Sequence, residues 1–236
     1  MKILIASDKF KGSLTAPEAC EAIRKGIIEA MESEALEIRL LPVADGGDGM
    51  AYSLTAADDG EWITVGVKNA LGQPTEASYG IIEDGRLAVI EMAEASGLAQ
   101  LDPASLDPWN ASSYGTGELI RDATERGVEH IALGIGGAAT NDGGAGMAQA
   151  LGFQFFNSEN ELLSSIPAEL NNVSRIASPT NLNLPKIIVA CDVTNRLLGP
   201  SGCTDVCGPQ KGIEPESLSI HEERLFHLVQ LTNRVT

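Results

Sequence analysis

The sequence predicts an α/β protein made of two α/β domains. Two observations carry this. The chain opens with a strand-helix-strand run of the kind that builds parallel sheets with helical crossovers. Near residues 68–75 strand-like runs without intervening helices take over, and βα alternation returns beyond them. The domains drawn from that change of texture are 1–70 and 71–236, and 236 residues suffice for one or two domains with a sizeable core.

Each element follows from its pattern. KILIA (2–6) is a continuous apolar run of strand length and reads as a buried first strand. Thr15-Ala16-Pro17-Glu18 has capping-box spacing with proline near the first turn. Ile23, Ile27 and Met31 then recur at four-residue steps and predict one buried helix face. EIRLLPV (37–43) is the next strand. EWITVGV (61–67), EASYGII (76–82) and RLAVIEM (86–92) follow as strands, the last two joined by EDG, a hairpin-type turn. Thr116 can cap a helix running to about Arg126, HIALGI (130–135) is a strand, and a helix follows the glycines after it. KIIVA (186–190) reads as another buried strand and LSIHEERLFHLVQL (218–231) as a helix.

Composition narrows the function classes. With 33 acids against 16 bases the formal net charge is −17, a surface that repels nucleic acid and anionic membrane. No run approaches 18 apolar residues, and the start lacks the long apolar region of a secretory signal, so a cytoplasmic protein is expected. Cys20, Cys191, Cys203 and Cys207 form no disulfide framework, and CTDVC lacks a second pair or a nearby His to complete a zinc site. Only three His occur, and His221 and His227 fall on different faces of one helix, which argues against a His-dependent triad or metal centre.

The chemistry gathers in loops after strands, where α/β proteins place their sites. GIGGAATNDGGAG (134–146) holds six glycines and one acid. A dinucleotide pattern can be forced on Gly134, Gly136 and Ala139, but no acid ends a strand about twenty residues on, and the Lys-Ser/Thr pair of a P-loop is missing. The loop is better suited to bring backbone N–H groups, with Thr140 and Asn141, against a phosphate, and Asp142 against a Mg²⁺ bridging phosphate oxygens. The local alternative is a tight strand-to-helix crossing with Asp142 as its cap. SDKFKGS carries Lys9 and Lys11 toward a helix start, VADGGDGM carries Asp45 and Asp48, CDVTNRLLG carries Asp192 and Asn195, and GPQKG sets Lys211 between glycines. Acids, a few cations and glycine loops at successive strand ends are the parts of Mg²⁺-dependent phosphoryl transfer.

DKFKGSL, VADGGDG, EMAEASGL, SYGTGEL, GIGGAATNDGGAGM, ACDVTNRLLG and GPQKG, in this order, closely resemble the bacterial type-1 glycerate kinases, from Met1 to about Gly212. The resemblance implies ATP-dependent phosphorylation of D-glycerate to 2-phosphoglycerate with Mg²⁺. It also implies a discontinuous Rossmann-like domain, an incomplete parallel sheet in this chain, beside a mixed α/β domain, with the active site between them. Family members run on by roughly half this length again, so the chain reads as truncated, and an inactive remnant is the alternative; a nicotinamide-dependent oxidoreductase is a second one. For the transfer, Asp192 is the expected acceptor at the substrate hydroxyl and Asp142 the Mg²⁺ residue. Gly136, Gly137, Thr140, Asn141, Gly143 and Gly144 would line the phosphate path. Lys9, Lys11 and Lys211 would meet carboxylate or phosphate, and Asp45, Asp48 and Asn195 the glycerate. D-glycerate is the one partner expected, and a homo-oligomer is compatible with the reading.

Overall fold

The structure is a computed structural model that describes residues 1–10, 13–31, 36–43 and 49–232. Strands β1 (Lys2–Ile5) and β2 (Glu37–Leu40) pair in parallel, with Lys2 opposite Glu37 and Ile5 opposite Leu40. Helix α1 (Ala16–Ala30) joins them, and its capping box is complete: the Thr15 amide donates to Glu18 Oε2 at 2.8 Å and the Glu18 amide to Thr15 Oγ1. The buried face of α1 differs from the expected one. Ala16, Ala19 and Cys20 are buried, whereas Ile23 is 41% exposed and Met31 37%. Cys20 Sγ approaches Ile5 O at 3.7 Å, so small residues of the first turns meet β1. β1 is likewise half-buried, with Ile5 inside and Leu4 out.

Helix α2 (Met50–Ala57) leads into an antiparallel meander of β3 (Glu61–Lys68), β4 (Pro74–Ile82) and β5 (Leu87–Glu91). The expected EDG turn is present, with Glu83, Asp84 and Gly85 all at positive φ. Then come α3 (Met92–Ser96), α4 (Tyr114–Glu125) and β6 (His130–Gly134). Thr116 lies inside α4 rather than before it; buried, its hydroxyl bonds Ser96 Oγ at 2.9 Å, so it pins α4 to α3. Helix α5 (Ala145–Ala150), a short pair of antiparallel strands β7 (Gln154–Phe156) and β8 (Arg175–Ala177) with α6 (Ile166–Glu169) between them, strand β9 (Lys186–Ala190), α7 (Cys203–Cys207) and α8 (Leu218–Thr232) complete the chain.

The main sheet has the order β3-β4-β5-β6-β9, and β5, β6 and β9 run parallel. Period-two alternation sorts its faces. Ala88, Ile90, Ile131 and Leu133 face the core with Leu119 and Ile120 of α4, while Val89 and Leu87 meet Met50 and Ala51 of α2 on the other side. A second core of Phe155, Ile166, Leu170, Val173, Leu228 and Leu231 fastens α8 to the β7–β8 unit. β9 was expected to be buried, but Ile188 and Val189 are each more than half exposed. Among the described residues it pairs with β6 alone, so as an edge strand it is covered on one side only. Strand β3, from the segment expected in the first domain, belongs to this five-stranded sheet.

Candidate active site

Register sets the stage. Glu91 of β5 lies opposite Gly134 of β6, which lies opposite Ala190 of β9. Three parallel strands therefore end in one row, and the loops that leave them start as neighbours. The Ile135 amide donates to Ala190 O at 3.3 Å, so the glycine loop and the Asp192 loop part company only after one further residue.

The glycine loop divides into two halves. Its first half is open: Gly137 is exposed, Gly136 partly so, and neither of their amides meets an acceptor among the described residues. It is fixed from behind, because the Leu98 amide donates to Gly137 O and the Ala139 amide to Ser96 O. Its second half is closed: Thr140, Asn141 and Asp142 are all buried. Asn141 Nδ2 donates to Thr204 Oγ1 of α7, and Thr140 O accepts from Lys211 Nζ at 2.6 Å. Gly143 and Gly144 both need positive φ, and a Cβ at Gly143 would lie 2.8 Å from Leu228 of α8. These glycines let the chain turn under that helix.

Asp142, expected to meet Mg²⁺, is also the cap of two helix starts. Its Oδ2 accepts from Ser113 N at 2.9 Å, Ser113 Oγ at 2.7 Å and Gly146 N at 3.1 Å; its Oδ1 accepts from Gly144 N at 3.1 Å. The starts of α4 and α5 meet at this one carboxylate, which satisfies amides of both and their positive ends together. Ser113 Oγ in turn accepts from Met147 N at 2.9 Å. Oδ2 is fully engaged with the protein, whereas Oδ1 accepts the Gly144 amide alone and keeps a second lone pair.

Two cations feel the charge of this carboxylate, Arg224 buried and Lys211 half-buried. Lys211 stands on the short turn Pro209–Lys211, and burial pulls its ammonium below the ordinary lysine range, with Asp142 among the groups that oppose the fall. Arg224 of α8 lies over the Trp109 ring and donates to His221 Nδ1 at 3.3 Å; burial lowers its pKa too, again opposed by Asp142. An arginine can only donate, so His221 carries its proton on Nε2. Lys211 therefore reaches the glycine loop through Thr140 O, and the charge of Asp142 acts on it.

The other expected residues are spread around it. Asp192, two residues past the end of β9, is exposed and makes no side-chain hydrogen bond among the described residues. Asn195 is exposed, and its amide folds back on Ser201 O at 2.9 Å, so it braces its own loop instead of facing Asp192. Lys9 lines a separate cleft of about 610 Å³ with Phe10, Leu14, Val43, Gly49 and Tyr52. Lys11, Asp45 and Asp48 lie outside the described residues. Among the described residues no three His, Cys, Asp or Glu side chains gather closely enough to hold a metal ion, and no helix is long and apolar enough to cross a membrane.

Sequence reasoning missed Ser113, Arg224 and Glu91. Glu91 could have been found: the rule that singled out Asp192, an acid directly past an apolar strand, applies equally to LAVIE. Arg224 had no such signal, since its burial comes from Trp109, 115 positions away in sequence.

Comparison with known proteins gives the family. The model of the glycerate kinase family matches residues 3–236. The chain is 43% identical over 232 residues to a glycerate kinase of Halalkalibacterium halodurans, covering 97% of this chain and 60% of that protein. It is 40% identical over 237 residues to the glycerate 2-kinase of Escherichia coli K12, covering 99% and 62%. A crystal structure from Salmonella typhimurium LT2, described as a candidate glycerate kinase 2, superposes with a TM-score of 0.87 at 43% identity, over 99% of this chain and 63% of that one. The chain spans about three fifths of the length of these relatives. With a family model that runs almost end to end and a matching fold, the chain belongs to the glycerate kinase family.

Proposed function

We propose that the protein transfers the terminal phosphoryl group of ATP to D-glycerate, giving 2-phosphoglycerate. One observation carries the reading: unbonded amides of Gly136 and Gly137 and the exposed carboxylate of Asp192 leave adjacent parallel strand ends. Backbone N–H groups at a strand end suit phosphate oxygens. A carboxylate beside them can accept the proton of an attacking hydroxyl. Lys211 braces the loop through Thr140 O, and its charge is assigned to the phosphate. Lys9 and Lys11 are the cations for the glycerate carboxylate, and Asp45 and Asp48 the groups for its hydroxyls. Asn195 keeps its loop shaped for Asp192.

Mg²⁺ would enter on the ATP phosphates and neutralise charge on the group in transfer. Such an ion keeps several waters and needs only one or two carboxylates, so the absence of a three-ligand cluster among the described residues fits this use. Asp142 serves first as the shared cap, and only the second lone pair of its Oδ1 would be open to such an ion. A two-domain organisation belongs to the same proposal, with the Lys9 cleft on the N-terminal part and β3 counted with the second domain, whose sheet it joins.

The test is a coupled ADP-release assay, with thermal shift by Mg-ATP and D-glycerate alongside. Glycerate-dependent ADP formation is expected. Asp192→Asn should cut turnover at least a hundredfold while the ligand-induced thermal shift persists. Turnover that survives this substitution removes Asp192 from the mechanism. A chain that neither turns over nor responds to either ligand is a non-catalytic member of its family.

A further inference from the structure

Glu91 is a buried acid that ends one strand of this row, and the transfer mechanism leaves it unused. It closes β5 opposite Gly134, and alternation turns it to the α2 face of the sheet, the face of Val89. Only 5% exposed, it accepts from Met50 N at 2.6 Å on Oε1 and from Gly49 N at 3.2 Å on Oε2. These are the first amides of α2, and Gly49, at φ 96°, has no side chain with which to cap them. The cap is therefore supplied from a strand 42 positions further along the chain.

The arrangement is costly for a mere cap. No cation lies within ion-pair distance of Glu91 among the described residues. Burial, reinforced by the like charge of Glu94, pushes its carboxyl above the ordinary range against the pull of the amides. A Ser or Asp at the helix start would cap α2 without burying a charge. What a local cap cannot do is fix α2 to the sheet. Gly49 also lines the Lys9 cleft and directly follows the stretch that contains Asp45 and Asp48. The opposite neighbour of Glu91, Gly134, opens the glycine loop.

We infer that Glu91 is a positioning residue for phosphoryl transfer: its carboxylate ties Gly49 and Met50, beside the Lys9 cleft, to the strand end next to the phosphate loop. The inference rests on the kinase reading for its effect on activity, but the tether itself does not. Amides at a helix N-terminus ordinarily lack protein acceptors and exchange freely. In the wild-type chain those of Gly49 and Met50 should instead exchange at least tenfold more slowly than the unbonded amides of Gly136 and Gly137. Glu91→Gln keeps the shape but turns one oxygen into a donor that faces an N–H. It should lose that protection locally, leave the amides of β5 and β6 unchanged, and raise KM for D-glycerate about tenfold with a smaller change in kcat. Fast exchange at Gly49 and Met50 in the wild type overturns the tether without recourse to any variant. Unchanged KM in an active Glu91→Gln enzyme overturns its role in positioning. Absence of wild-type turnover sinks the kinase reading alone, because the exchange measurement still decides the tether.

Discussion

Replacing Asp142 by Asn separates a shared helix cap from a metal ligand. Oδ2 receives three donors and Oδ1 one, so the amide oxygen of Asn will take the Oδ2 position. Its NH₂ then faces the Gly144 amide, 3.1 Å away in the wild type, and leaves that N–H without an acceptor. A half-buried donor so orphaned costs toward the lower end of about 1–3 kcal/mol. Removing the negative charge from two helix starts adds about 0.3–1 kcal/mol at each. Lys211 and Arg224 lose a counter-charge as well, in the same direction. The sum is about 3 kcal/mol, or a fall in Tm of roughly 6–12 °C for a chain of this size. Thermal unfolding of both proteins, with EDTA and with added Mg²⁺, reads it. The substitution should destabilise equally in both media, and EDTA alone should leave the wild type unchanged. A loss below about 1 kcal/mol, or a wild type that EDTA destabilises as much as the substitution does, would refute the cap.

Two further predictions follow from burial. His221, 1% exposed against Trp109 and beside the Arg224 guanidinium, has its pKa pulled down to about 4, chiefly by desolvation. The unfolded chain takes up this proton below about 6.5 and the folded one does not. The contribution is thus intact above pH 6.5 and drains away as pH falls toward 4, by on the order of 3 kcal/mol. Denaturant titrations across that range should show His221→Phe with a flatter loss of stability than the wild type; parallel slopes would contradict it. Gly117 and Gly26 should respond to Ala with opposite signs. A Cβ at Gly117 in α4 would lie 2.5 Å from Met147 O and 2.7 Å from Ala150 Cβ at the crossing with α5, whereas at Gly26 in α1 it meets open space. Gly117→Ala should lose about 1–3 kcal/mol to overpacking and Gly26→Ala gain up to about 1 kcal/mol, and calorimetry that finds the same sign for both would defeat the packing argument.

Patterns that depend only on neighbours in sequence were legible from the residues alone. The Thr15–Glu18 capping box spans a single helical turn, and Glu83-Asp84-Gly85 adopts the turn its residue types demand. Apolar runs of strand length marked β1, β2, β3, β4, β5, β6 and β9 near their observed places, and the strand-end loops carried the family's motifs. Burial was less legible. KIIVA has the composition of a central strand, yet its place at the edge of β3-β4-β5-β6-β9 leaves Ile188 and Val189 in solvent. In α1 the four-step repeat of Ile23, Ile27 and Met31 misidentified the packed face, because the buried residues are the small Ala16, Ala19 and Cys20 of the first turns, with Cys20 against Ile5 of β1.

The sequence by itself determined that acids stand past the ends of apolar strands and that glycines surround one of them. Only the tertiary structure decided what each acid does. Asp142, Asp192 and Glu91 occupy the same kind of place in the chain. One meets the starts of α4 and α5, one faces solvent, and one seizes the start of α2. The reason is physical: a carboxylate's role is set by the donors that reach it, and for Asp142 and Glu91 the decisive donors come from Ser113 and Met50, brought close by the crossing of helices and by sheet register rather than by neighbours along the chain.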